Sequence, residues 1–238
     1  MKESVQDRVY LEEEGDAFFS RNIKDRDLPP LRDAKRVIRD HLGESAIPFK
    51  RVLEYGCNYG DLLFHLREQG GAEECVGVEA SSQAVEFGQS RYGETVKLVQ
   101  GTIAANSIND SGDYNNHFDL IIIDDVFGWV SRETLLTSIA NIDALLADGG
   151  YVFIRDFYPD KRTRVRNHHV SGDRVFNYKI PGSHAAIFEA TGMYEAEWQK
   201  VYYDNIGMST GFKSDNRFIY RWTDVVLKKA YADYFHMD

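Results

Sequence analysis

Between residues 51 and 154 the chain repeats one rhythm: a short apolar run, a turn, then apolar positions three and four residues apart. The runs at 52–53, 76–79, 96–99, 118–123 and 151–154 read as strands of a parallel sheet, since strands covered on both faces lose their in-out alternation. Helices fill the intervals. Leu62, Leu63 and Leu66 recur until Gly70-Gly71, while Ala84, Val85 and Phe87 follow a cap at Ser81. Leu135, Leu136, Ile139, Ile142 and Leu145 make a longer face that starts behind Ser131 and closes at Gly149-Gly150. Ahead of this core, Pro29-Pro30 open a helix with apolar face Leu31, Ala34, Val37, Ile38 and Leu42, and Gly43 is its expected stop. Behind it, Ser183 begins a short helix over 185–190, ended by Gly192. Alternating residues at 194–203 and 217–227 then predict an antiparallel edge pair. The connection between them, 204–215, borders the expected site.

The pattern predicts an α/β fold: one domain over 47–238, preceded by a helical extension over 1–46. A chain of 238 residues with 43% hydrophobic content can bury a full core as a single layered unit. Its net charge of -10 argues against nucleic acid or an anionic membrane as partner, because phosphate binding needs a basic face. A small-molecule substrate is the expectation, and the sequence leaves oligomeric state open, with a homodimer as one arrangement. Cys57 and Cys75 fall at opposite ends of neighbouring strands, roughly 15 Å apart for a five-residue strand. A disulfide does not span that distance. With no apolar h-region near Met1 and no membrane-length window, the cytoplasm is the expected location.

The chemistry begins at Arg51-Val-Leu-Glu-Tyr-Gly-Cys-Asn-Tyr-Gly60. Gly56 and Gly60 let the backbone turn so that the next helix N-terminus faces a ligand, and Glu79 ends the second strand about 20 residues beyond, placed to accept from ribose hydroxyls. A dinucleotide turn wants glycine where Asn58 and Asp61 stand; both are absent, which lowers the NAD or FAD oxidoreductase reading. S-adenosylmethionine has no pyrophosphate to cradle and tolerates Asn58.

At these residues the chain resembles the class I S-adenosylmethionine-dependent methyltransferases. The landmarks run in order through 53–60, Val78-Glu79-Ala80-Ser81, Gln100-Gly-Thr-Ile103, Phe118-Asp-Leu-Ile-Ile-Ile-Asp-Asp125 and 146–154, and the likeness covers about 52–229. The resemblance implies a Rossmann-like, doubly wound, mostly parallel seven-stranded sheet whose last strand is antiparallel. It also implies that S-adenosyl-L-methionine is the cofactor, and that Glu54, Gly56, Asn58 and Gly60 surround its methionine end. Glu79 would bind the ribose, Ala80, Thr102 and Ile103 would border the adenine, and Asp124 would close the crevice. A catalytically silent cofactor-fold protein is the alternative outside the enzymes.

Residues 157–182 carry weak secondary-structure signals and follow a strand's C-terminal end, which marks them as a substrate lid. Lys161, Arg162, Arg164, Arg166, Arg174 and Lys179 outnumber Asp160 and Asp173, so an anionic group on the acceptor would suit it. Methyl transfer needs alignment, and a base where the acceptor carries a proton. Candidate bases are His168 and His169 in the lid, expected to point apart, and Asp125. Strand alternation lets only one of Asp124 and Asp125 face the crevice. Arg164 and Arg166, with Tyr158, Tyr178 and His184 flanking the same loop, are candidate substrate contacts. No metal framework is present in the sequence. Together these point to a methyltransferase acting on a small acceptor such as a sugar or related metabolite, with oxygen as the expected atom.

Overall fold

The computed structural model describes residues 4–23, 31–109, 112–203 and 221–230. Pro29-Pro30, the 204–215 connection, residues 217–220 and His236 lie outside them. The strands are β1 (Arg51–Tyr55), β2 (Glu74–Glu79), β3 (Lys97–Gln100), β4 (Phe118–Asp124), β5 (Leu146–Phe157), β6 (Thr163–Arg166), β7 (Phe176–Lys179), β8 (Tyr194–Tyr203) and β9 (Arg221–Lys229). Seven form one sheet in the order β3-β2-β1-β4-β5-β9-β8, parallel except that β9 runs antiparallel to both its neighbours. This is the Rossmann-like, doubly wound sheet the sequence predicts.

The helices are α1 (Val5–Val9), α2 (Gly15–Asn22), α3 (Asp33–Ser45), α4 (Asp61–Glu68), α5 (Ser82–Tyr92), α6 (Leu135–Leu145) and α7 (Ala185–Glu189). They cover the sheet on both sides, and alternation within each strand sorts the core. Leu53, Val76, Ile121, Ile123, Val152 and Ile154 pack towards α6 and α7, whereas Val52, Leu120, Ile122 and Phe153 pack towards α3 and α4. Each such buried aliphatic contributes about 1.5–3 kcal/mol relative to exposure. The order reverses at β1 and β4, so the crevice at their carboxyl ends is where ligands bind in such sheets.

Three boundaries differ from the sequence expectation. Gly43 lies inside α3, which leaves through Ala46 at φ 52°, its N–H shared between the Leu42 and Gly43 carbonyls. α6 starts at Leu135, because residues 131–134 form a turn in which Ser131 Oγ accepts from the Glu133 N–H. α6 then ends at Leu145, and Leu146 already pairs with Phe118; Gly149-Gly150 lie in the irregularity before β5 resumes regular pairing at Tyr151. The lid also contains more structure than its sequence suggests. β6 and β7 form an antiparallel hairpin, with Val165 opposite Asn177 and Arg164 opposite Tyr178. Between α1 and α2 the chain continues helical through a π-helical turn, Tyr10–Glu14. Cys57 and Cys75 are both free and buried.

Candidate active site

A cavity of about 1580 Å³ opens at the carboxyl ends of β1, β2, β4 and β5, with the N-terminal helices on one side and the β6–β7 hairpin on another. The glycine turn forms its floor. Gly56 has φ 68° and stands so close to Val126 that a Cβ would meet its Cγ2 at 2.4 Å, so this position admits no side chain. Gly60, at φ 81°, starts α4 behind the cavity wall. Asn58 lines the floor at φ 55°, and its Oδ1 is buried without a partner among the described residues. Glu79 is fixed beside it: Oε2 accepts from the Asn58 N–H at 2.8 Å and Oε1 from the Ser81 N–H at 2.9 Å. Burial raises its pKa, partly offset by those N–H groups. Ala80, Thr102 and Ile103 line the wall beyond it. A fixed carboxylate beside an apolar wall suits a ribose and its base, and the unpartnered Asn58 oxygen suits a polar amino-acid end.

Glu54 is fully buried beneath this floor. Its Oε1 accepts from Lys35 Nζ at 2.5 Å, and its Oε2 has no partner among the described residues. The same ammonium reaches Asp124 Oδ2 at 3.0 Å, so one lysine of α3 holds the acids that end two neighbouring strands. Burial works against the Lys35 charge, but Asp124 and Glu54 together raise its pKa. Asp124 is lowered in turn: burial pushes it up, and Lys35 and Arg155 outweigh that.

Asp124 and Asp125 both line the cavity, contrary to the alternation argument. Asp125 lies past the end of β4 at φ 54°, where the period of two no longer holds. Its Oδ1 is buried without a partner among the described residues, and its pKa is pushed well above its ordinary value, first by burial and then by Asp124 and Asp156. His168 and His169 are exposed at the mouth. They do not point apart: a turn sets their ring centroids 3.9 Å from each other. Among the described residues no group of three potential ligands could hold a metal ion.

Of the lid cations, Arg166 and Lys179 line the cavity. Arg164 instead lies over the outer Phe176 ring, and Arg174 pairs with Glu13 at 2.6 Å. Tyr158, Tyr178 and His184 also sit off the cavity. Tyr158 faces Arg221 and Tyr178 faces Arg132, while His184 is fully buried, bonded through Nδ1 to Asp156 and stacked on Phe127. Strand alternation accounts for Tyr178. In β7, Asn177 and Lys179 face inward, so Tyr178 between them faces the other way. The sequence reading missed Asn177, and also Tyr10, Lys35, Trp129 and Tyr202, which line the cavity as well.

The N-terminal helices are tied to both walls. Asp16 accepts from Ser81 Oγ, Ser82 Oγ and the Gln83 N–H at the start of α5. Gln6 donates to the Trp129 and Phe176 carbonyls and accepts from the Phe176 N–H, and Glu14 accepts from Asn167 Nδ2 at 3.1 Å.

Comparison with known proteins agrees with this geometry. A family model described as a methyltransferase domain matches residues 25–196. An uncharacterised protein of Rickettsia prowazekii is 28% identical over 104 residues, 44% of this chain and 41% of that protein, so the match spans less than half the length of this curated relative. Among solved structures, a Burkholderia thailandensis 1,6-didemethyltoxoflavin-N1-methyltransferase, crystallised with 1,6-didemethyltoxoflavin and S-adenosylhomocysteine, superposes with a TM-score of 0.62 at 16% identity, covering 96% of this chain and 92% of that one. The N-methyltransferase NodS of Bradyrhizobium japonicum, with S-adenosylhomocysteine, gives 0.58 at 15% identity over 90% and 98%. At these identities the solved structures establish the shared fold. No helix among the described residues is long and apolar enough to cross a membrane.

Proposed function

The chain belongs to the methyltransferase domain family, and on that premise we propose that it uses S-adenosyl-L-methionine to methylate a hydroxyl oxygen of a small polar acceptor, such as a sugar or related metabolite. The observation that carries the reading is the glycine turn: Gly56 without room for a Cβ, Glu79 fixed at the end of β2 and the unpartnered Asn58 oxygen face one cavity. When bound, the cofactor supplies a methyl group made electrophilic by its sulfonium. Glu79 would hold the ribose hydroxyls, and Ala80, Thr102 and Ile103 the adenine. Asn58 and the Lys35–Glu54–Asp124 cluster would meet the methionine end. The remaining work is alignment and exclusion of water, which the N-terminal helices and the hairpin perform from above.

An attacking hydroxyl must lose a proton. We assign its acceptance to Asp125 Oδ1, which is buried and unpartnered among the described residues on a side chain that lines the cavity, and whose raised pKa makes it a stronger base than an ordinary carboxylate. His168 and His169, exposed on the rim, are the second candidates. Arg166 at the same rim would meet an anionic group elsewhere on the acceptor.

Calorimetric titration with S-adenosylhomocysteine tests the cofactor assignment. Wild type should bind, and Glu79→Ala should bind at least about tenfold more weakly, the equivalent of about 1.4 kcal/mol. No binding to the folded wild type would remove the basis of the proposal.

A further inference from the structure

The inward face of β7 carries two side chains that have no hydrogen-bond or ion-pair partner among the described residues. Asn177 is 2% exposed, and both its Oδ1 and its Nδ2 are buried without a hydrogen-bond partner, so the finding does not depend on which way the amide is turned. Two residues on, Lys179 is 8% exposed and has no carboxylate within ion-pair distance among the described residues. Its Nζ lies 3.2 Å from the centre of the Phe157 ring, which itself packs on Trp222. Asp125 lines the same cavity, and its Oδ1 is also unpartnered among the described residues. Leaving a polar group buried and unpaired costs about 1–3 kcal/mol, so several such groups on residues that line one cavity point to a ligand there.

The complement defines the ligand. Asn177 Nδ2 and Lys179 Nζ donate and so need acceptors, whereas Asn177 Oδ1 and an ionised Asp125 accept and so need donors. A phosphate or carboxylate supplies acceptors only and would leave both oxygens unpaired against its own charge. Adjacent hydroxyls supply both kinds together, and Trp222, which lines the cavity beside Phe157, suits the C–H face of a saturated ring. We infer that Asn177, Lys179 and Asp125 form the acceptor subsite, and that it takes a neutral vicinal diol, with one hydroxyl presented to Asp125 for methylation and its neighbour held by Asn177 and Lys179.

In that arrangement the O–H proton passes to the Asp125 carboxylate as the oxygen–carbon bond forms and the carbon–sulfur bond breaks, its electron pair staying on sulfur. Asn177 and Lys179 bind the neighbouring hydroxyl and leave the proton alone. Lys179 is pushed down to about 8 by burial, with Asp125 and Asp156 on β4's and β5's ends working against that, so at neutral pH it still donates. This inference rests on the hydroxyl-acceptor reading above, and the test separates the two.

The probes are methyl glycosides and inositol as vicinal diols, their monodeoxy analogues, inorganic phosphate and uracil. Binding to the full chain saturated with S-adenosylhomocysteine is followed by ligand-observed NMR at millimolar concentration, with wild type, Asn177→Ala, Lys179→Met and Arg162→Ala as an exposed-site control. Retained S-adenosylhomocysteine affinity and melting temperature confirm that each variant folds. At least one diol should bind wild type and the control equally. Its affinity should fall about tenfold or more in Asn177→Ala and Lys179→Met, and on removal of one hydroxyl of the pair. Diol binding unchanged in both variants, preferential binding of phosphate or uracil, or no diol binding overturns the subsite. If a substrate screen yields O-methylation of a compound whose KM ignores Asn177 and Lys179, the subsite falls and the hydroxyl reading stands. If it yields N-methylation only, both fall.

Discussion

At Asp125 the backbone sits at φ 54°, a conformation that asparagine tolerates as well as aspartate does, while burial and two neighbouring acids push the carboxyl's pKa up. Stability from such a group is fully present below its unfolded pKa and is lost as pH rises towards the folded value. Asp125→Asn keeps the turn and removes the titration, so the variant should resist urea better than wild type, by a margin that widens as pH rises above the ordinary aspartate pKa of about 4. Methyl transfer should fall about a hundredfold or more in the same variant, and wild-type turnover should rise with pH through the raised Asp125 pKa. Lys35 predicts the opposite. Lys35→Met strands two carboxylates, Glu54 and Asp124, and should cost about 3–5 kcal/mol in urea unfolding at neutral pH, less at low pH where both acids protonate. Glu54, Gly56, Asn58 and Glu79 were legible because the turn fixes their spacing. Lys35 was legible only in hindsight, as a lysine on the apolar face of Leu31, Ile38 and Leu42, and the expectation that only one of Asp124 and Asp125 faces the crevice failed because strand alternation stops one residue before Asp125.

At the scale of elements, the sheet and its helices follow from patterning, but the β6–β7 hairpin does not. Each strand has four residues, and Thr-Arg-Val-Arg against Phe-Asn-Tyr-Lys lacks a clean apolar alternation because its inward face meets a cavity. That is also why Asn177 and Lys179 could not be told from Tyr178 by sequence. A two-stranded hairpin is marginal alone, so contacts from elsewhere must hold it. Gln6 supplies them: its amide pairs with both the N–H and the C=O of Phe176 and also with the Trp129 carbonyl, and it is itself 5% exposed. Gln6→Ala leaves those backbone groups unpaired at a cost of about 1–3 kcal/mol. The expected outcome is faster hydrogen exchange at the Phe176 amide and faster proteolysis within 163–179, with exchange in β1 and β4 unchanged. Equal protection across the hairpin in both proteins would show that Gln6 does not clasp it.

For the whole molecule, the cavity belongs to three parts of the chain, and they differ in what they owe one another. The two main cores draw little on the first helices, since residues 4–22 contribute Val9 and the partly buried Tyr10 to a small separate cluster and only the partly buried Phe19 to the edge of a main core. Yet those same helices supply Tyr10, Glu14 and Arg21 to the cavity, and Asp16 covers the start of α5 next to Glu79. Order along the chain conceals this, because a helical preface reads as an addition to a finished domain, and its part in the site shows only once it has folded back over the sheet. A chain beginning at residue 23 should therefore keep the cooperative unfolding of the sheet and nearly all its far-ultraviolet strand signal. Its affinity for S-adenosylhomocysteine should drop about tenfold or more, since the ligand loses one wall while Glu79 and the glycine turn remain. Calorimetry beside circular dichroism measures both quantities on the same sample. Unchanged affinity would assign the helices to the acceptor alone, and loss of cooperative unfolding would make them part of the core rather than its cover.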